Sequence, residues 1–194
     1  MNYKNTNDRY GLIAIALHWI VALGFLAAYV AVYYRHWFTE VNTPENWTAL
    51  QLHLSFGLSV AVFVILRLIW KSMNKPPKDL PGTKFEHFAA HTMHYILYAI
   101  MIVMPLTGYF GTGVNTEFFL QFEIPKFADT AIYKTVVEDY LGLTWETFEP
   151  PMDWVHKRGG EYFVWVMILA HASAALYHHF IRKDDVLKRM LSTK

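Results

Sequence analysis

The chain has 194 residues, of which 54% are hydrophobic, 17% aromatic and only 17% charged, too apolar and too poor in charge for a soluble domain of this size. A formal charge of +1 offers no overall field for nucleic acid. With no cysteine, these residues exclude disulfides, iron–sulfur clusters, zinc–thiolate sites and covalently attached c-type haem, so any cofactor is held by nitrogen or oxygen ligands.

The first ten residues are polar and carry Lys4 and Arg9. An apolar run from about 11 to 34 follows, long enough to cross a bilayer and without a small-residue cleavage site, and reads as a retained span interrupted by His18. Residues 35–47 (RHWFTEVNTPENW) read as a polar loop in which Trp37 and Trp47 suit a membrane surface and His36 is an ordinary loop residue. The second span covers about 48–70, with His53 near its start and Arg67 near its end. KSMNKPPKDLPGTK, at 71–84, is a Pro-rich basic connector. The third span, about 87–110, crowds His87, His91 and His94 into its first turns on one face and places Pro105 where it would kink the helix.

Residues 111–155 are acidic and aromatic, and their Pro, Gly and Asp argue against a continuous span. The best local candidate there is a helix over 131–141 lying along the membrane surface. The fourth span runs over about 156–181 and ends in a charged tail. The expectation is an all-α, integral membrane, antiparallel four-helix bundle, a single domain over 1–194, with a long outer loop between helices 3 and 4.

Four spans put both termini on one side. Lys4, Arg9, Lys71, Lys75, Lys78, Lys84, Arg182, Lys183, Lys188, Arg189 and Lys194 then share that side, against Arg35, Lys126, Lys134, Lys157 and Arg158 on the other. Because the orientation rule counts Lys and Arg, the termini are expected in the cytoplasm and the acidic loop outside.

A histidine inside an apolar span is costly unless its ring nitrogens are used. His18 and His171 both lie roughly 12–15 Å in from the cytoplasmic ends of their spans. His53 and His156 lie within a turn or two of the outer ends. This suggests two cofactors stacked across the membrane, the inner between His18 and His171 and the outer between His53 and His156. A porphyrin held by a helical histidine needs a small residue one turn on, since i and i+4 share a face. Those residues are Ala22, Gly57, Gly160 and Ala175, whereas the other six histidines are followed by Glu40, His91, Tyr95, Tyr98, Arg182 and Lys183. Fifteen residues leave His156 and His171 roughly 60° out of register on a straight helix, so a one-residue bulge is expected at Gly159-Gly160. Arg67 either snorkels to the interface or pairs with an anionic cofactor group such as a propionate. For His87, His91 and His94, a solvated or lipid-headgroup role stands beside a functional one.

His18-Trp19, His53 with Gly57, Arg67-Leu68, MPLTG at 104–108 and above all HASAALYHHFIRKDDVLKRM at 171–190 resemble the bacterial cytochrome b561 family, most nearly its quinone-linked superoxide oxidase members. The resemblance implies two haem b groups with His18, His53, His156 and His171 as axial ligands to iron, His156 being the weakest match because the usual spacing to His171 is one shorter. It places the family's quinone-contacting histidine on His178. The implied activity is oxidoreductase electron transfer in the bacterial inner membrane, from a periplasmic donor to ubiquinone near the cytoplasmic side, with His94 or His91 as further candidates at the quinone pocket. Superoxide as donor would want a positive entrance, which Lys157 and Arg158 could form, while the acidic loop suits a basic periplasmic redox protein. Two other readings stand: a b-haem membrane anchor for a dehydrogenase, and a non-haem di-iron membrane enzyme built on His87, His91, His178 and His179.

Overall fold

The computed structural model describes residues 2–192; Lys194, counted above among the cytoplasmic cations, lies outside them. Four helices are long and apolar enough to cross a membrane: α1 (Leu12–Phe38), α2 (Pro44–Met73), α3 (Lys84–Gly111) and α4 (Trp145–Arg182). Two of the starts have a local cause. Thr43 caps α2 by accepting the Asn46 amide, with Pro44 in the first helical position. Thr83 and Glu86 form a reciprocal capping box at the start of α3.

Side-chain contacts at both ends show that neighbouring helices run antiparallel. Arg35 near the end of α1 meets Asn46 at the start of α2, and Arg67 near the end of α2 meets His18 near the start of α1. Tyr29 of α1 reaches Gly160 in the first half of α4, and Trp19, nearer the start of α1, reaches Met190 in the tail beyond α4. Arg182 at the end of α4 binds Glu86 at the start of α3.

The centre of the bundle is an apolar layer of Val21, Val60, Val64, Met101, Ile100, Met104 and Val164, with Phe25 packed between its two halves. Gly24 lets α1 close on α2, since a Cβ there would stand 2.7 Å from Val60 Cγ2. Outside, Leu23, Leu26, Val30, Val62, Ile65 and Leu169 are exposed, as on helices that are apolar all round and meet lipid.

The expected spans differ from the observed helices mainly at their outer ends. α1 continues to Phe38, so His36 is helical and not a loop residue; the loop is 39–43. α4 begins at Trp145, within the region read as loop, despite Pro150 and Pro151. Those prolines remove amides that would bond the carbonyls of Glu146 and Thr147, but both of these residues are exposed, so water can serve the carbonyls. The segment Tyr133–Tyr140 is helical, of π type, and its Tyr133 and Val137 join Phe127 in a small separate core against Trp145 and Phe148.

The loop also holds an antiparallel hairpin, β1 (Thr116–Phe118) and β2 (Phe122–Ile124). The chain is therefore mostly, not wholly, helical. The hairpin turn uses left-handed Phe119 and Leu120, with φ of 46° and 61°. No Asn or Gly marks this turn, and without one the sequence carries no hairpin signal.

Two fully buried polar residues of α2 hold the hairpin down. Gln51 Nε2 donates to the Asn115 carbonyl (3.2 Å) and its Oε1 accepts the Glu117 amide (2.7 Å), while Ser55 Oγ accepts the Phe119 amide (2.9 Å). Replacing Gln51 with Leu is expected to strand two backbone groups at about 1–3 kcal/mol each. The solubilised variant should then be cleaved within 116–124 by a protease that spares the wild type. Equal resistance would refute the clamp.

Candidate functional site

The four deep histidines come together as two couples on either side of the apolar layer. His53 and His156 face one another with ring centroids 5.9 Å apart at 74°, and His18 and His171 with centroids 6.3 Å apart at 55°. Each couple would offer two imidazole nitrogens to one iron-bearing group.

The outer couple is held by the backbone. His53 Nδ1 lies 2.9 Å from the Ala28 carbonyl and His156 Nδ1 lies 3.0 Å from the Met104 carbonyl. A carbonyl only accepts, so each ring donates from Nδ1 and keeps the lone pair of Nε2 for a ligand bond. Beside His53, Gly57 looks onto open space: a Cβ there meets no heavy atom within 4 Å. Gly108 instead touches the His156 ring, and a Cβ would stand 2.7 Å from its Cε1. Both Gly108 and Met104 lie in the MPLTG motif, whose contact with His156 the sequence did not disclose. Gly160, read as small to admit a porphyrin, has another cause too. Its carbonyl accepts the Tyr29 hydroxyl at 2.7 Å, and a Cβ would press on Met104 Cε at 3.3 Å.

The expected bulge is present. Residues Gly159–Phe163 form a π turn in which the Val164 amide reaches back to the Gly159 carbonyl. With one residue absorbed, His156 and His171 behave as if fourteen apart, about 40° from register.

The inner couple is arranged differently. Arg67 Nη1 lies 3.1 Å from His18 Nδ1. A guanidinium can only donate, so the neutral ring carries its proton on Nε2. Binding iron through Nε2 therefore requires Arg67 to release the ring, after which the guanidinium is free to meet an anionic group. His94, though exposed, brings its ring to 5.8 Å from that of His171 at 71°, making the inner level a group of three imidazoles. His87 and His91 remain at the surface, where Asp79 of the connector approaches both at 3.9 and 3.4 Å.

Both couples thus fit a bis-imidazole porphyrin, the outer with its tautomers already set and the inner after a change of Arg67. Among the described residues, no group of three or more His, Asp or Glu side chains is arranged to hold a metal ion by itself.

Lys157 and Arg158, the candidate positive entrance beside His156, are each paired with a carboxylate, Asp153 at 2.8 Å and Glu161 at 3.0 Å. At the other end of α4, His178 Nδ1 lies 2.6 Å from Asp184 Oδ2. Burial alone would raise the Asp184 carboxyl, but the His178 hydrogen bond, the Val186 amide and the charge of Arg182 hold it below the ordinary carboxylate range. A carboxyl held low in the folded chain adds stability above its ordinary pKa of about 4, and that stability is lost as pH falls through the folded value. Asp184→Asn is expected to shrink the acid limb of a plot of unfolding temperature against pH. An unchanged plot would show that the contact contributes nothing.

Comparison with known proteins agrees with this geometry. A family profile described as prokaryotic cytochrome b561 matches residues 9–193. The chain is 30% identical to cytochrome b561 homolog 1 of Escherichia coli (strain K12) over 191 residues, covering 95% of this chain and 97% of that protein. It is 29% identical to cytochrome b561 homolog 2 of the same organism over 202 aligned positions, covering 98% and 95%. Over 193 residues it is 25% identical to a probable superoxide oxidase, CybB, of Yersinia pestis, covering 97% and 98%. With four membrane-length helices and two facing imidazole couples inside them, the chain belongs to the prokaryotic cytochrome b561 family, integral membrane proteins that carry b-type haem for electron transfer.

Proposed function

We propose that the chain is a di-haem b cytochrome of the bacterial inner membrane, with both termini cytoplasmic, that passes electrons from a periplasmic donor to ubiquinone near the cytoplasmic side. The observation that carries this reading is the presence of two imidazole couples at two levels of one bundle, separated by an apolar layer. His53 and His156 would hold the outer haem and His18 and His171 the inner, with Arg67 as a partner for a propionate. Bis-imidazole haem supplies one-electron transfer with no open iron position.

The protein's own groups do the rest. The Ala28 and Met104 carbonyls orient the outer rings, the apolar layer excludes water between the levels, and His178 holds a proton at the end of the path where a quinone carbonyl would accept it. The orientation rests on the clustering of Lys and Arg at the termini and in the 71–84 connector.

Superoxide is the donor that the name of the Yersinia pestis relative favours. A second reading, a cationic periplasmic redox protein, is favoured by the neutralised Lys157 and Arg158 and by the exposed carboxylates of Glu138, Asp139 and Glu146 on the outer loop. Stopped-flow mixing of the oxidised protein with superoxide, and separately with a reduced basic cytochrome, separates the two. Rapid haem reduction by superoxide that is insensitive to salt supports the first, and salt-sensitive reduction by the cytochrome alone supports the second. A purified protein with no b-type absorption would overturn both.

A further inference from the structure

We propose that Asp184 is the positioning residue of a proton-delivery pair, holding the His178 imidazole with its proton on Nδ1 so that Nε2 is the nitrogen that exchanges a proton with a bound quinone. This rests on the quinone reading of His178 above and assigns a role to the first residues of the tail.

The local fold ends a helix, and it is more specific than that ending requires. α4 closes in a π turn, His178–Arg182, in which the His178 carbonyl accepts both the Lys183 amide and, at 3.1 Å, the Asp184 amide. Lys183 then takes a left-handed conformation, φ 58°, ψ 33°, which is unfavourable for a residue with a Cβ. Lysine has no side-chain reason to prefer this conformation, unlike glycine. The outcome is that Asp184 folds back onto the ring six residues earlier. Its Oδ2 lies 2.6 Å from His178 Nδ1, and its Oδ1 accepts the Val186 amide at 3.1 Å, so both carboxylate oxygens are fixed.

An ionised carboxylate can only accept, and Nδ1 must therefore be the donor. In the neutral ring, the lone pair then sits on Nε2; in the protonated ring, Nε2–H is the proton available to give. An orienting carboxylate behind an imidazole sets the tautomer and steadies the imidazolium in the same way wherever histidine serves as a general acid or base. Other charged groups face this ring too. Arg182, in its own turn, lies 3.9 Å from Asp184 Oδ2 and also binds Glu86, which reaches the same end of the bundle from α3. Arg182 thereby ties the start of α3 to the end of α4 beside the dyad.

The step balances simply. Reduction of a quinone to a quinol takes two electrons, arriving one at a time, and two protons. Each C=O π bond is lost as an O–H bond forms. His178 gives its Nε2 proton to one quinone oxygen and is reprotonated from the cytoplasmic solvent, the Nδ1 proton staying on the ring and hydrogen-bonded to Asp184 throughout, and the second oxygen takes its proton from the same solvent.

The test uses the holoprotein, pre-reduced, freed of reductant and mixed with a short-chain ubiquinone while haem reoxidation is followed optically across pH. Asp184→Asn is expected to keep its haem content and reduced spectrum but to be reoxidised between ten- and about a hundredfold more slowly, with a changed pH profile, and Asp184→Glu to recover most of the rate. Nitrogen spectra of histidine-labelled protein, with His178 assigned by its loss in His178→Ala, should show Nδ1–H in the wild type and a shift toward Nε2–H in Asp184→Asn. If His178→Ala is reoxidised at the wild-type rate, the quinone reading itself fails. If His178→Ala is slow but Asp184→Asn keeps both the rate and the pH profile, only the role of Asp184 is overturned. A wild-type spectrum with the proton on Nε2 overturns it without recourse to any variant.

Discussion

Replacing His171 with alanine is expected, on the proposed two-haem arrangement, to abolish the inner haem while leaving the outer one, so that haem content falls from two per chain to one. The ring of His171 is the element common to the inner group, 6.3 Å from His18 and 5.8 Å from His94, and no other imidazole of α4 lies at that depth. His18→Ala should behave differently. His94 approaches His171 from α3 and can take the vacated side, so this variant should keep part of its inner haem with an altered spectrum. On the outer level no third imidazole is paired with His53 and His156, and either His53→Ala or His156→Ala should remove the outer haem outright. Haem per chain and the reduced-minus-oxidised spectrum read all four variants. A full complement in His171→Ala, or in both outer variants, would mean that these rings do not hold iron.

Gly57→Leu is expected to fold normally and yet to lose most of its outer haem. A Cβ at residue 57 meets nothing within 4 Å, so a larger side chain costs the polypeptide little. It lies one turn beyond His53 and on the same face, where a flat ligand held by that ring would rest. Gly108→Val makes the contrasting case. Its side chain would strike the His156 ring, pushing it from the Met104 carbonyl. Overpacking of this kind costs about 1–3 kcal/mol, and loss of the group that orients a ligating histidine weakens metal binding by about 10–100-fold. The two variants are told apart by unfolding temperature beside haem content: Gly57→Leu should lose haem without intrinsic strain, and Gly108→Val should suffer both. Full outer-haem occupancy in Gly57→Leu would place the cofactor elsewhere.

Much of this arrangement is legible in the amino-acid sequence. Depth follows from counting residues at a fixed rise along an apolar run, which is why His18 could be matched with His171 and His53 with His156. Facing follows from the helical period, and the misfit between His156 and His171 pointed to an extra residue at Gly159-Gly160, where the π turn lies. The outer loop was less legible. Its hairpin turns on Phe119 and Leu120, and α4 begins ahead of two prolines, so the local signals there point away from the structure that forms.

Four membrane-length helices, the levels at which their histidines sit and the family to which they belong can be read from the chain alone, because rise, period and motif are properties of one segment at a time. Folding alone settles that His94 comes beside His171, that Arg67 rests on His18, that Gly108 abuts His156 and that Asp184 returns to His178. Each of those depends on how one helix is rotated against another or on the path of a loop or tail between them. Such relations join residues on different elements, and no local periodicity encodes them.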